Sequence, residues 1–221
     1  MSHDLNSAFQ SWLDDVHARH ADVIEHELGN RFDVYPSLQE CLASRPVDVP
    51  CLNERARRLA VAATNDLLKH AASGYDRLLD DSPHAQHAIA QLIDYLPDTT
   101  DAVKHRVDEF VQQGKARSGL GLGQALTVAS LILTLAHPAR FVDFPSHATW
   151  TRFAQELGYG IVNTNVSHGE KLVWASIFAH DLAETDTFKR HWKRESDRAM
   201  WVISALNWTY KRLAQETPRE E

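Results

Sequence analysis

The stretch Gly114–Phe144, GKARSGLGLGQALTVASLILTLAHPARFVDF, decides the fold. Glycine alternates with leucine at Gly119, Gly121 and Gly123, and an apolar run then extends from Ala125 to Leu135. That run lacks the period-two alternation of a half-buried strand, so it reads as a buried helix. His137-Pro138 closes it, and Phe141-Val142 leads to one carboxylate, Asp143. The unit is helix, glycine turn, helix, with an aspartate delivered behind it.

Upstream, Thr99 or Thr100 caps a helix over Asp101–Gln113, with acidic residues near its start. Before it, Ser82-Pro83 opens a helix through Ile89, Leu92 and Ile93 that stops at Pro97. Asn53 followed by Glu54 begins another, with an apolar stripe at Leu59, Val61, Ala62, Leu67 and Leu68 and an interruption at Gly74. At the start of the chain, Phe9, Trp12, Leu13 and Val16 recur at helical spacing, which predicts a helix over Leu5–Glu27 ended by Gly29-Asn30. The proline-bearing stretch Phe32–Pro50 reads as a connection. Downstream, helices are predicted over Ser146–Leu157, stopped by Gly158, over His168–Leu182, and over Asp186–Leu213. Ile161–Val166 is a loop or a short strand, and the TPREE tail frays. The expected fold is all-α, one domain over 1–221. Residues 1–98 form a helical scaffold, 99–159 the hairpin core and 160–221 the C-terminal helices.

Composition narrows the function classes. The chain has 221 residues, 43% of them hydrophobic and 24% charged, the proportions of an ordinary globular protein. Its longest apolar run is far too short to span a bilayer, and the N-terminus carries no secretory pattern, so no membrane partner and a cytoplasmic location are expected. Cys41 and Cys51 are too few for a disulfide framework or a cysteine metal site. They can bridge, but a cytosolic protein is expected to keep two free thiols. The net charge of -7 argues against a general nucleic-acid coat, although Lys115 and Arg117 flank the glycines and Lys189, Arg190, Lys193 and Arg194 cluster near the end. Neither a cofactor nor a metal is called for.

Glycines admit positive φ and let the backbone approach a phosphate closely. A turn ending at a helix N-terminus adds unpaired N–H groups and a dipole that favour an anion. Lys115, Arg117, Ser118, Gly119, Gly121, Gly123 and Gln124 are therefore the candidate contacts to duplex DNA. Either Gly119-Leu120-Gly121 or Gly121-Leu122-Gly123 can supply the turn. A plain interhelix reversal is the competing reading.

These residues resemble the helix-hairpin-helix DNA glycosylase superfamily. Gly119-Leu120-Gly121 with Ala125 matches its hairpin, and Ala129–Leu135, Pro138, Phe141-Val142 and Asp143 follow in the family's order. The segment is also similar to uncharacterised helical domains found with methylation-dependent restriction systems, through Leu157-Gly158-Tyr159. The likeness covers about residues 114–159. It implies duplex DNA binding, with base recognition or base excision in repair or defence against modified DNA, and Asp143 as the catalytic carboxylate. Trp150, Phe144 or Trp174 would stack on an extruded base. Two departures matter. Arg117-Ser118 stands where the family has Leu-Pro, and Gly123 occupies the position of the Schiff-base lysine, so any excision would be monofunctional. The competing role for Asp143 is to cap the helix after Pro145 or to pair with Arg140.

Phe178-Ala179-His180-Asp181-Leu182 resembles the His-Asp pair of metal-dependent phosphohydrolases, with His168, His191 and Asp197 as further ligands. A helix-terminal histidine favoured by the dipole explains it more simply. A non-enzymatic helical interaction module is the other alternative. The histidine pairs His17/His20 and His84/His87 read as solvated, and Trp192, Trp201 and Trp208 as a core stripe.

Overall fold

Eight α-helices are present among the described residues, and no strand. They are α1 Leu5–Ala43, α2 Ser82–Ile93, α3 Thr100–Ser118, α4 Leu122–Ala136, α5 His147–Glu156, α6 His168–Ala183, α7 Asp186–Trp192 and α8 Ala199–Glu216, with a 3-10 segment Lys193–Arg198 before α8. The computed structural model describes residues 4–52, 54–55, 82–93, 99–119, 121–144, 146–160 and 165–216. Most of the helix expected after Asn53, with Gly74, the stop at Pro97 and residues 161–164 of the loop or short strand expected over Ile161–Val166 lie outside these residues.

The helix α4 is the axis of the fold. Every residue from Ala125 to Leu135 is buried, and α4 packs against α1, α2, α3 and α6. A helix apolar all round needs neighbours on every side. Its three buried hydroxyls settle their own hydrogen bonds. Ser130 donates to Thr127 O, Thr134 donates to Ser130 O, and Thr127 donates to Gly123 O and Phe144 O. Phe144 N–H in turn donates to Ser130 Oγ at 2.9 Å. The buried segment 141–144 is thus held along α4 by Thr127 and Ser130, two of the three polar residues that interrupt the apolar run.

The first helix does not stop at Gly29-Asn30. It runs from Leu5 to Ala43 with a kink at His20 (φ -145°, ψ 35°) and contains Pro36. A mid-helix glycine costs about 1 kcal/mol and a proline about 3 kcal/mol. Against that, Ile24, Val34, Tyr35, Leu38, Cys41 and Leu42 continue one face into the core. Each large apolar side chain buried contributes roughly 1.5–3 kcal/mol, so packing overrides both breakers. In the last turn of α1, Cys41 is disulfide-bonded to Cys51. That corrects the expectation of two free thiols and pins the end of α1 to the segment that follows it.

The single helix expected over Asp186–Leu213 is also broken. None of Lys193–Arg198 is buried, and Glu195 leaves helical geometry (φ -99°, ψ 18°). With no side chain of this polar run in the core, nothing imposes the α conformation there, and α7 and α8 each find their own seat against α1. Every residue of α8 from Ala199 to Thr209 is buried, including Trp201 and Trp208. The buried hydrophobic residues from α1 to α8 make one contiguous cluster. No helix among the described residues is long and apolar enough to cross a membrane.

Candidate nucleic-acid interface

The glycine turn is short because α3 is longer than its sequence pattern suggests. It continues through Lys115 and Arg117 to Ser118, and Gly119 ends it in the left-handed conformation (φ 64°), with its N–H on Lys115 O. A residue with a Cβ adopts that conformation only with strain. Gly121 is the N-cap of α4, so Gly123 already lies in the first helical turn. The register with Gly121-Leu122-Gly123 as the turn is excluded.

Lys115, Arg117, Gly119, Gly121, Gly123 and Gln124 are all exposed, on one helix end, one connection and the next helix start. Open space surrounds the places where a Cβ would stand on Gly119 and Gly123. Gln124 turns back, and its Oε1 accepts from Gly121 N–H at 3.1 Å. The N–H groups of Leu122, Gly123 and Gln124 have no intrahelical acceptor, as in any first turn. These residues can present backbone donors to an anion.

Asp143 stands elsewhere. It has no exposed surface, and its carboxylate accepts from Tyr35 Oη at 2.6 Å, Trp208 Nε1 at 3.0 Å and an Arg31 guanidinium N–H at 3.3 Å. Its backbone is held too. The N–H donates to Ser204 Oγ, and the C=O accepts from Trp150 Nε1. Arg31 is itself wholly buried and also donates to Glu27, at both its carboxylate and its backbone carbonyl, and to Ser204 O. Arg212 reaches the other Glu27 oxygen at 3.2 Å. Burial alone would lower the Arg31 pKa, but the charges of Asp143 and then Glu27 hold it above its ordinary value. Burial, then Asp143, pushes the Tyr35 hydroxyl well above its usual range. The cluster joins α1, α8 and the 141–144 segment.

The two structural roles expected for Asp143 fall to other groups. Ser146 caps α5, accepting from Thr149 N–H, while the Arg140 guanidinium lies 5.2 Å from the centre of the Phe141 ring. Trp150 is fully buried with its indole N–H on Asp143, so it offers no stacking surface. Phe144 is buried at 2% exposure, and Trp174 meets His147 edge-on at 5.9 Å. Arg31 and Glu27 were missed by local reading. The signal was the continued spacing Ile24, Glu27, Arg31, Tyr35, Leu38, which sets both charges on the core face.

His180 and Asp181 are exposed, and Asp181 accepts from Tyr159 Oη. Among the described residues no group of three His, Cys, Asp or Glu side chains is placed to hold a metal ion. His191 stacks on His17 at 6.0 Å instead of joining His180. In the basic cluster, Lys189 pairs with Glu184 and Arg190 donates to Gln10.

Beside the glycine turn a cavity of about 400 Å³ opens, with Gly123 and Gln124 at one edge. His147 and His168 line it, and both pKa values lie below the ordinary imidazole value of 6.5 because of burial first and then Lys171. A depressed imidazole favours the fold while neutral. Its contribution is complete above pH 6.5 and is lost as pH falls through the folded value. Thermal melts from about pH 7 to about pH 5 should therefore show an acid-side loss of stability that is smaller in His147→Gln/His168→Gln. Equal slopes in both proteins would remove these two groups from the acid limb.

No protein-family model, no curated protein and no solved structure matches the chain.

Proposed function

We propose that the protein binds duplex DNA through its glycine turn and recognises DNA, modified DNA in a defence setting included, without excising a base. The observation that carries this reading is the exposed turn itself. A left-handed glycine ends one helix beside Lys115 and Arg117, and an open first turn begins the next. Cations in the last turn of one helix thus stand next in the chain to the backbone donors and dipole of the following helix start, groups of the kind that position a phosphate backbone. The likeness to helix-hairpin-helix glycosylases supports DNA as the polymer. Excision is the weaker half of that likeness, because Asp143 reaches no solvent and its oxygens already accept from three donors. A carboxylate that stabilises a sugar cation must be able to face it. The interaction-module alternative has little apolar surface behind it: Ile177, 49% exposed, is the one large exposed hydrophobic among the described residues. DNA as the partner goes with a cytoplasmic location, and the Cys41–Cys51 bond is the observation that pulls the other way.

The test is binding of the purified protein to labelled duplexes across a salt series. Affinity should fall log-linearly with salt. Lys115→Ala/Arg117→Ala should weaken binding uniformly across sequences and lower the slope by about 2, one per phosphate contact. Absence of binding at low salt, or an unchanged slope in the variant, removes the hairpin from the function.

A further inference from the structure

The starts of three helices meet at the cavity beside the glycine turn. Gly123 and Gln124 come from the first turn of α4, Ser146 and His147 from the cap and first turn of α5, and His168 and Lys171 from the beginning of α6. Each start carries N–H groups without an intrahelical acceptor and the positive end of a dipole. Local acceptors take only some of these donors. Ser146 Oγ accepts from Thr149 N–H, Ser167 Oγ from Glu170 N–H, and Asp108 of α3 from Gly169 N–H. Acidic side chains in a first turn would balance the dipole, but α4 and α5 have none there. In α6 the one acidic residue is Glu170, and the residues that line the cavity are His168 and Lys171.

Lys171 adds charge of the same sign. It is half-buried, and its effect on His147 and His168 is to lower both pKa values further after burial, with Asp108 offsetting part of this at His168. Lys211, which also borders the cavity, already has partners, the Trp208 ring among them, so Lys171 is the available cation there among the described residues. His147 Nδ1 is buried with no hydrogen-bond partner. Positive helix ends and an ammonium gathered in one hollow repel one another, and an anion relieves that repulsion. Gly123 and Gln124 belong both to the turn and to the cavity, so the two surfaces are continuous. We propose that the cavity holds a phosphodiester group of the bound DNA, with Lys171 as its counter-charge and the His147 and His168 rings as N–H donors. The inference rests on duplex DNA as the partner and extends the contact surface from the glycine turn to the start of α6.

The experiment is duplex binding by the whole protein across a salt series, with Lys171→Gln, Lys171→Arg and the triple variant Lys115→Ala/Arg117→Ala/Lys171→Gln. Each variant is first checked for native helicity and melting temperature. Lys171→Gln should weaken binding by about tenfold at low salt and lower the log–log slope by about 1, the loss of one phosphate contact. Lys171→Arg keeps the charge and should keep the wild-type slope, which a purely structural role for the lysine would not require. The triple variant should lose about 3 from the slope, one for each cation removed. A wild-type slope in Lys171→Gln beside a lowered slope in Lys115→Ala/Arg117→Ala overturns the cavity contact and leaves the turn standing. The reverse pattern keeps the cavity contact and removes the turn. A slope in Lys171→Arg as low as in Lys171→Gln overturns the role of the charge, and absence of wild-type binding at low salt overturns both readings.

Discussion

Asp143→Ala is expected to lower the stability of the fold by about 3–5 kcal/mol, the usual consequence of deleting one partner from a buried ion pair. The reason lies in what remains. Arg31, with no exposed surface, would lose its Asp143 contact and keep two backbone carbonyls and, as its charged partner, the Glu27 carboxylate that Arg212 already shares. Tyr35 Oη and Trp208 Nε1 would both lose their acceptor in the core, each an unmet donor worth about 1–3 kcal/mol. For a chain of this size the loss corresponds to a fall in Tm of roughly 6–20 °C. Asp143→Asn keeps the shape but sets an amide against Arg31, so it should fall between the wild type and alanine. Replacing both charges, as in Arg31→Met/Asp143→Leu, should recover part of the loss, and a double-mutant cycle by thermal or denaturant unfolding isolates the coupling. A catalytic aspartate behaves differently, since removing such a residue leaves stability unchanged or raises it. A melt of Asp143→Ala at or above the wild-type temperature would end the structural assignment and restore the catalytic one.

How far the sequence could be read depended on whether the deciding contact was local. The all-α class followed from apolar spacing at three and four residues, a property of each helix by itself. Glycine was a less reliable boundary marker. Gly119 and Gly158 end helices at positive φ (64° and 68°), yet Gly29 sits inside α1 and Gly123 inside α4. What separates them is the next turn. After Gly29 the core-facing spacing resumes at Arg31, Val34 and Tyr35, so continuing the helix buries more than stopping it. The partner of Asp143 was hidden for a different reason. Arg31 is 112 residues away, and with Glu27 it reads locally as an exposed i,i+4 pair. The cavity was illegible for the same reason, since Lys171, Lys211, His147 and His168 lie on three helices and meet only after α5, α6 and α8 have packed.

The α6 residues His168 and Lys171 line that cavity, and the seat of α6 on α3 depends on a residue with no side chain. A Cβ built on Gly169 would stand 2.1 Å from Lys104 O and 2.7 Å from Lys104 C and Cα. All three are backbone atoms of α3, so no rotamer change relieves the clash; the two helices must move apart. Such overpacking costs typically 1–3 kcal/mol and occasionally more, and here the separation also pulls Gly169 N–H from Asp108. Gly169→Ala is therefore expected to destabilise by about 3 kcal/mol, although alanine is the better helix former by about 1 kcal/mol. Gly29→Ala is the internal control. Nothing lies within 4 Å of its added Cβ, so the propensity term acts alone and the fold should gain about 0.5–1 kcal/mol. Denaturant unfolding of the two variants gives opposite signs if α3 and α6 meet backbone to backbone at this point. A neutral Gly169→Ala would mean the helices can separate there freely, and the position of His168 and Lys171 at the cavity would then need another support.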